Sequence, residues 1–258
     1  MIDEKKLREL VLCKLSVSEL LDVFKVCKRT LYNYLNRYNL HIINSPKFDT
    51  KIFDKIDTEE KSYWLGFLYA DGYICGYNNQ VELSLKSTDI NHLYKFHKFL
   101  KDSREVSTCI KVSKVETYSR CRYVLGNNHF RNRLIDLGCI SNKSLYLKFP
   151  DINIFSNKKY VIDFIRGYID GDGCISDSRG RLRIQICGTK SFLTSLRVYF
   201  PEFSFPKKDK RSNVFTIQTS HTKADKVAKI LYENSSIYLD RKFNKFAKLV
   251  KNRITNVG

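Results

Sequence analysis

Two segments of the chain end in the same way 101 residues apart: Trp64-Leu65-Gly66-Phe67-Leu68-Tyr69-Ala70-Asp71-Gly72 and Ile165-Arg166-Gly167-Tyr168-Ile169-Asp170-Gly171-Asp172-Gly173. Each reads as an apolar helix with small residues four apart, Gly66 with Ala70 and Gly167 with Gly171, and therefore on one face. A mid-helix glycine costs about 1 kcal/mol relative to alanine, and close helix-to-helix contact offsets that cost. The spacing therefore predicts that Gly66, Ala70, Gly167 and Gly171 form an interface between the two helices. Each helix then ends on an aspartate, where the helix dipole disfavours a carboxylate. Packed together, the helices bring Asp71 and Asp172 to the same end, where like charges repel and raise one pKa. A shared divalent cation such as Mg²⁺ relieves both problems, because it takes carboxylate, water and phosphate oxygens as ligands. A single Asp-Gly step is an ordinary helix stop; its recurrence with small residues at the same offsets points to metal ligation by Asp71 and Asp172.

The flanking sequence repeats as well. Helix Glu60 to Asp71 is followed by strands Tyr73 to Gly76 and Val81 to Lys86, a helix capped by Asp89 that runs to Phe99, strands Val106 to Val112 and Cys121 to Leu125, and a helix Arg131 to Leu137. Helix Lys159 to Asp172 is followed by strands Gly173 to Ser176 and Arg181 to Cys187, helix Lys190 to Tyr199, strands Phe203 to Phe205 and Val214 to Thr219, and helix Thr222 to Tyr232. An internal duplication is the plain explanation. Ahead of it, residues 5 to 40 carry apolar residues at helical spacing, and residues 41 to 58, with Asn44-Ser45-Pro46, lose that rhythm. The expected organisation is a small all-α domain over 1–42, a linker over 43–58, one half over 59–150 and the second over 151–258, an α+β chain with two αββαββα halves.

Lys and Arg number 46 against 27 Asp and Glu, a formal net charge of +19 over 258 residues, spread along the whole chain. Such an excess repels itself unless a polyanion compensates it, which makes nucleic acid the expected partner. A skewed base composition of the gene is the alternative source of part of the excess in a chain so rich in Lys, Asn, Ile and Tyr. The eight cysteines include no Cys-x-x-Cys pair, which argues against zinc ribbons and fingers, and residues such as Cys187 read as small buried hydrophobes. No secretory stretch and no apolar run of about 18 residues occurs, so an intracellular protein without a membrane segment is expected.

The two Asp-Gly segments resemble the LAGLIDADG motif of homing endonucleases, and the resemblance covers residues 59 to 250. It implies a saddle of two four-stranded sheets straddling double-stranded DNA. It also implies a monomer without an obligate protein partner, Mg²⁺ or a small set of such divalent ions held by Asp71 and Asp172, and hydrolysis of both strands across the minor groove. Intron or intein homing is the associated biology. Tyr69 stands where the motif has its first acid, whereas Asp170 keeps it. By position on the strand after each motif, Ser84 and Gln185 are similar to the polar residues with which the family organises water, and Gln185 is the stronger catalytic candidate. A non-catalytic helix-turn-helix regulator on the same scaffold and an intron RNA maturase are the alternatives.

On the sheets, one parity of each hairpin is polar: Gln80, Glu82, Ser84 and Lys86 in the first half, Arg179, Arg181, Arg183 and Gln185 in the second. Such a face reads major-groove edges, Arg pairing with guanine and Gln with adenine, and the difference between halves implies a long asymmetric site. Arg120 and Arg122 extend the first surface. Lys86, Lys190 and a loop with Lys207, Lys208, Lys210 and Arg211 suit phosphate contact, and Arg241, Lys242, Lys245, Lys248, Lys251 and Arg253 form a basic helix. The N-terminal region resembles a helix-turn-helix, with Ser18 as an N-cap and Lys28, Arg29, Tyr32 and Asn33 on the second helix facing the major groove.

Overall fold

A computed structural model describes residues 2–13, 15, 17–42, 47–115, 118–141, 143–209 and 214–251. The expected linker residues Asn44, Ser45 and Pro46, the expected loop residues Lys210 and Arg211, and Arg253 lie outside the described residues. The chain forms two compact units, Met1–Lys47 and Phe48–Gly258.

The first unit contains α1 (Glu4–Leu12), α2 (Val17–Phe24) and α3 (Lys28–Arg37) around Leu7, Leu20, Leu31 and Leu35. Asp3 caps α1 by accepting from the Lys6 amide at 2.7 Å. Ser18 lies inside the first turn of α2 rather than before it, so it does not occupy the N-cap position. Cys27 is the N-cap of α3 without a side-chain capping bond, its thiol lying 3.2 Å from the Thr30 hydroxyl.

In the second unit the expected αββαββα order occurs twice. The first half has α4 (Glu59–Asp71), β1 (Gly72–Ile74), β2 (Gln80–Lys86), α5 (Ile90–Phe99), a short α6 (Val106–Cys109), β3 (Ile110–Val115), β4 (Tyr118–Gly126), α7 (Asn128–Asp136) and α8 (Lys143–Tyr146). The second has α9 (Tyr160–Asp172), β5 (Gly173–Ser178), β6 (Arg181–Gly188), α10 (Lys190–Tyr199), β7 (Lys207–Lys208), β8 (Phe215–Ser220), α11 (His221–Tyr232) and α12 (Asp240–Phe246), continued by a π-helical turn at Ala247–Lys251. Each sheet is antiparallel, ordered β1-β2-β4-β3 and β5-β6-β8-β7. One face of each is apolar, with Val81, Leu83, Leu85, Cys121, Tyr123 and Leu125 buried in the first and Leu182, Ile184, Ile186 and Ile217 in the second.

Several further expectations differ from the structure. Residues 48–56 are not a spacer: Phe48, Ile52, Phe53 and Ile56 are buried in the core. Val106 to Cys109 is a helical turn rather than strand, and Phe203 is buried in a turn while the strand comes later, at Lys207 and Lys208. Cys187 is exposed, as are Cys13, Cys27 and Cys174. Asp89 makes no capping bond and instead pairs with Arg241 at 2.9 Å, whereas its counterpart Thr189 caps α10 through the Phe192 amide.

Candidate active site at the paired helix ends

Helices α4 and α9 run against each other through the core, and glycine makes their approach feasible. A Cβ on Gly66 would run into the Phe164 carbonyl, and one on Gly167 into the Tyr63 carbonyl, a reciprocal clash across the crossing. Nearer the C-terminal ends, a Cβ on Gly171 would strike that of Ala70 and come within 3.3 Å of the Asp71 carboxylate. Residues Ser62 to Ala70 are all buried, so α4 is enclosed on every side.

Asp71 and Asp172 stand at this common end. Asp71 is half-buried, and burial followed by the charge of Asp172 pushes its carboxyl up to about 6. Asp172 has a solvent-exposed surface, yet the crowding of protein around its carboxyl also raises its pKa. Two lysines oppose both shifts. The Lys143 ammonium donates to the carbonyl of Gly72 at 2.7 Å, to that of Ala70, and to Leu68 at 3.5 Å. That of Lys242 donates to Ile169 and Asp170 at 2.6 Å, to Gly171 at 3.3 Å and to Gly173. The last carbonyls of a helix lack intrahelical partners and carry the negative end of its dipole, so each ammonium satisfies them and lowers the cost of the adjacent carboxylate. Burial pulls both lysines down, Lys242 to about 8. Lys242, expected on a basic surface helix, is 1% exposed. Sequence reasoning missed Lys143 altogether. The available signal was the duplication itself, since Lys143 lies 71 residues beyond Gly72 and Lys242 69 beyond Gly173.

A cavity of about 200 Å³ opens beside Asp172, lined by Ala70, Lys143, Tyr168, Cys187 and Thr189 among others. Tyr168 is buried against Phe192 and donates to the Cys187 carbonyl at 3.2 Å. Gln185 does not line this cavity. The register explains why: Gly72 pairs with Leu83 and Gly173 with Ile186, so Gln185 matches Glu82, and Ser84 matches Cys187. Ser84 and Gln185 are therefore not equivalent positions.

On the solvent face of the first sheet, Tyr73, Glu82 and Val124 form one cross-strand row, Ser84, Arg122 and Lys111 a second, and Lys86, Arg120 and Ser113 a third. Gln80 is exposed at the strand start, and Arg122 pairs with Glu82 at 2.6 Å. In the second sheet the rows are Cys174, Gln185 and Gln218, then Ser176, Arg183 and Ser220, then Cys187, Thr216 and Lys207. Arg181 is exposed, Arg179 occupies the hairpin turn at φ 55°, and Lys190 and Lys208 are exposed. In the first unit Lys28, Arg29, Tyr32 and Asn33 are exposed on α3, opposite buried Leu31 and Leu35.

Away from the paired helix ends, His97, Asp102 and Cys109 each place a ligand atom within 4.8 Å of the others, a possible metal-binding triad. Asp102 is already engaged there: Arg104 Nε reaches both of its carboxylate oxygens at 3.0 Å and the Tyr123 hydroxyl donates to one. Among the described residues, no helix is long and apolar enough to cross a membrane.

No family model matches the chain. A probable translation initiation factor IF-2 of Methanocaldococcus jannaschii is 25% identical over 171 residues, which span 64% of this chain but 13% of that protein. Among solved structures, the LAGLIDADG meganuclease I-AabMI bound to uncleaved DNA is 11% identical with a TM-score of 0.48, covering 75% of this chain and 91% of that one. The homing endonuclease I-WcaI bound to its DNA recognition sequence is 14% identical with a TM-score of 0.50, covering 73% of this chain and 87% of that one; the chain shares its fold.

Proposed function

We propose that this chain is a site-specific, metal-dependent DNA endonuclease of the LAGLIDADG homing type. The observation that carries the reading is the meeting of Asp71 and Asp172 at one end of two glycine-packed helices, each end closed by a lysine. The donor set fits a divalent cation. Two crowded carboxylates with raised pKa values supply hard oxygen ligands, and ionising both together requires positive charge between them. When bound, Mg²⁺ would supply an activated water and stabilise the leaving oxygen.

The protein's own groups do the rest. Lys143 and Lys242 hold the helix ends in register and add positive charge where a scissile phosphate would lie. The polar rows of both sheets face the major groove, and Lys86, Lys190, Lys207 and Lys208 contact phosphates. We assign Gln185 to the DNA face rather than to water activation, because the cavity beside Asp172 is lined by Cys187 instead. The unit over residues 2–42 acts as a helix-turn-helix-like DNA grip through Lys28, Arg29, Tyr32 and Asn33, and the fold shared with the DNA-bound homing endonuclease I-WcaI supports the endonuclease reading.

The test is to select cleaved duplexes from a randomised library in Mg²⁺, and to repeat binding in Ca²⁺ with Asp71→Asn and Asp172→Asn. Site-specific cutting by the unmodified chain, lost in both variants with binding retained, is the expected result. Specific binding without any Mg²⁺-dependent cutting would replace the enzyme with a regulator.

A further inference from the structure

The exposed face of the second sheet carries a set of side chains whose hydrogen-bonding sense is fixed before any ligand arrives. Gln185 on β6 and Gln218 on β8 are direct cross-strand partners, and Arg183 lies two residues before Gln185 on the same face. One guanidinium nitrogen, Nη2 of Arg183, donates to Oε1 of Gln185 at 3.1 Å and also to Oε1 of Gln218. Arginine has no acceptor, so both amide oxygens must face it. The orientation of each amide then follows from chemistry alone, although oxygen and nitrogen would otherwise be interchangeable. Both amide nitrogens point away from the arginine, and among the described residues no protein acceptor takes their N–H groups.

A free glutamine reads adenine with both ends of its amide, accepting from N6 and donating to N7. Here each glutamine oxygen is already turned toward Arg183 and accepts from it with one of its two lone pairs, which holds it away from the pose adenine requires. The groups left without a protein partner are the amide N–H donors, on a strand pair whose backbone register holds them in place. In the major groove guanine offers two acceptors, O6 and N7, on one edge, whereas cytosine offers a donor and adenine one of each.

Resting on the DNA-binding reading above, we propose that Arg183, Gln185 and Gln218 form a preorganised donor cluster that selects guanine at the base pairs beneath this row. Arg183 is the residue that sets the preference, because it orients toward itself the amide oxygens that would make the glutamines adenine readers. The matching row of the first half cannot do this: it holds Tyr73, Glu82 and Val124, with Glu82 tied to Arg122.

The experiment is selection from a randomised duplex library by the full chain in Ca²⁺, comparing the unmodified protein with Arg183→Ala, Gln185→Ala and Gln218→Ala. The unmodified chain should prefer guanine over cytosine about 10-fold at the positions facing the cluster. Arg183→Ala frees both amide oxygens and should move that preference from guanine to adenine, leaving other positions unchanged. Each glutamine variant should relax one position, and 7-deazaguanine there should weaken binding of the unmodified chain by removing an acceptor. Adenine selection by the unmodified chain, or an Arg183→Ala profile identical to it, overturns the donor cluster while leaving DNA binding intact. Failure to enrich any duplex overturns the DNA-binding reading and the cluster with it.

Discussion

Tyr69 in the first half and Asp170 in the second occupy the same place in their helices, yet they make the same connection with opposite polarity. The Tyr69 hydroxyl donates to the Leu137 carbonyl beside Gly138, which adopts φ 100°. The Asp170 carboxylate accepts from the Leu239 amide at 2.7 Å and from the hydroxyls of Tyr63 and Tyr232 at 2.8 and 2.6 Å. Leu137 precedes Lys143 and Leu239 precedes Lys242, so each contact ties a motif helix to the segment that delivers its lysine. Duplication has preserved the connection and not the chemistry that makes it. At the position that corresponds to Leu65, the second half has Arg166, which is 2% exposed and joins Glu59 of the first half to the Leu231 and Ile237 carbonyls of the second.

The strongest way to break the equivalence of the halves is to remove one carboxylate at a time. Asp71→Asn and Asp172→Asn should each slow cutting of both strands by about 10³-fold, since several kcal/mol of transition-state stabilisation are at stake. End-labelled duplexes report each strand separately. Nicking of a single strand by either variant would show two independent sites in place of one shared site.

Next in size come Gly66→Ala and Gly167→Ala. Because the two clashes are reciprocal and both meet backbone, each should cost about 3 kcal/mol, the upper range for overpacking. Urea titration of both variants measures this, and a large difference between them would mean that one helix yields and the other does not.

What could be read before the structure divides along the same lines. The helix pair, the two sheets and the exposed parity of their strands were legible because each rests on local spacing: small residues four apart, or polar and apolar residues in alternation. Lys143 and Lys242 were not, because their role is set by contacts some 70 residues away, with carbonyl groups that carry no side-chain signature. Asp89 looked like a helix cap, and only tertiary contact with Arg241 decides its use. Strand position alone pairs Ser84 with Gln185, and the register separates them.

The Tyr69 and Asp170 contacts themselves differ in expected weight. Asp170→Asn turns an amide N–H toward buried donors and should cost about 2 kcal/mol, whereas Tyr69→Phe loses one neutral hydrogen bond and should cost about 1 kcal/mol. Thermal unfolding of the two variants in one buffer orders them. If Tyr69→Phe proves the costlier, the first half depends on that contact more than its partner does.

The finest distinction lies behind the motif helices, where Phe67 packs on His92 in the first half and Tyr168 on Phe192 in the second, with ring centroids 4.6 and 4.2 Å apart. The Tyr63 hydroxyl gives its proton to Asp170, so His92 Nε2 must be the donor in its 3.0 Å contact with Tyr63. Nδ1 is then unprotonated, buried and without a partner. Burial, followed by the charge of Lys95, holds His92 well below the ordinary value of 6.5. Below pH 6.5 the unfolded chain takes up a proton that the folded chain refuses, so this residue removes stability as pH falls, by up to about 1.4 kcal/mol per pH unit. Asp71, Asp170 and Asp172, all raised, act in the opposite direction, and a variant is needed to isolate the histidine. His92→Phe copies the second half at this position. Its stability relative to the unmodified chain should improve between pH 6.5 and 5.5 by up to that amount, measured by urea unfolding at both pH values; parallel curves would mean that His92 takes up its proton in the folded state.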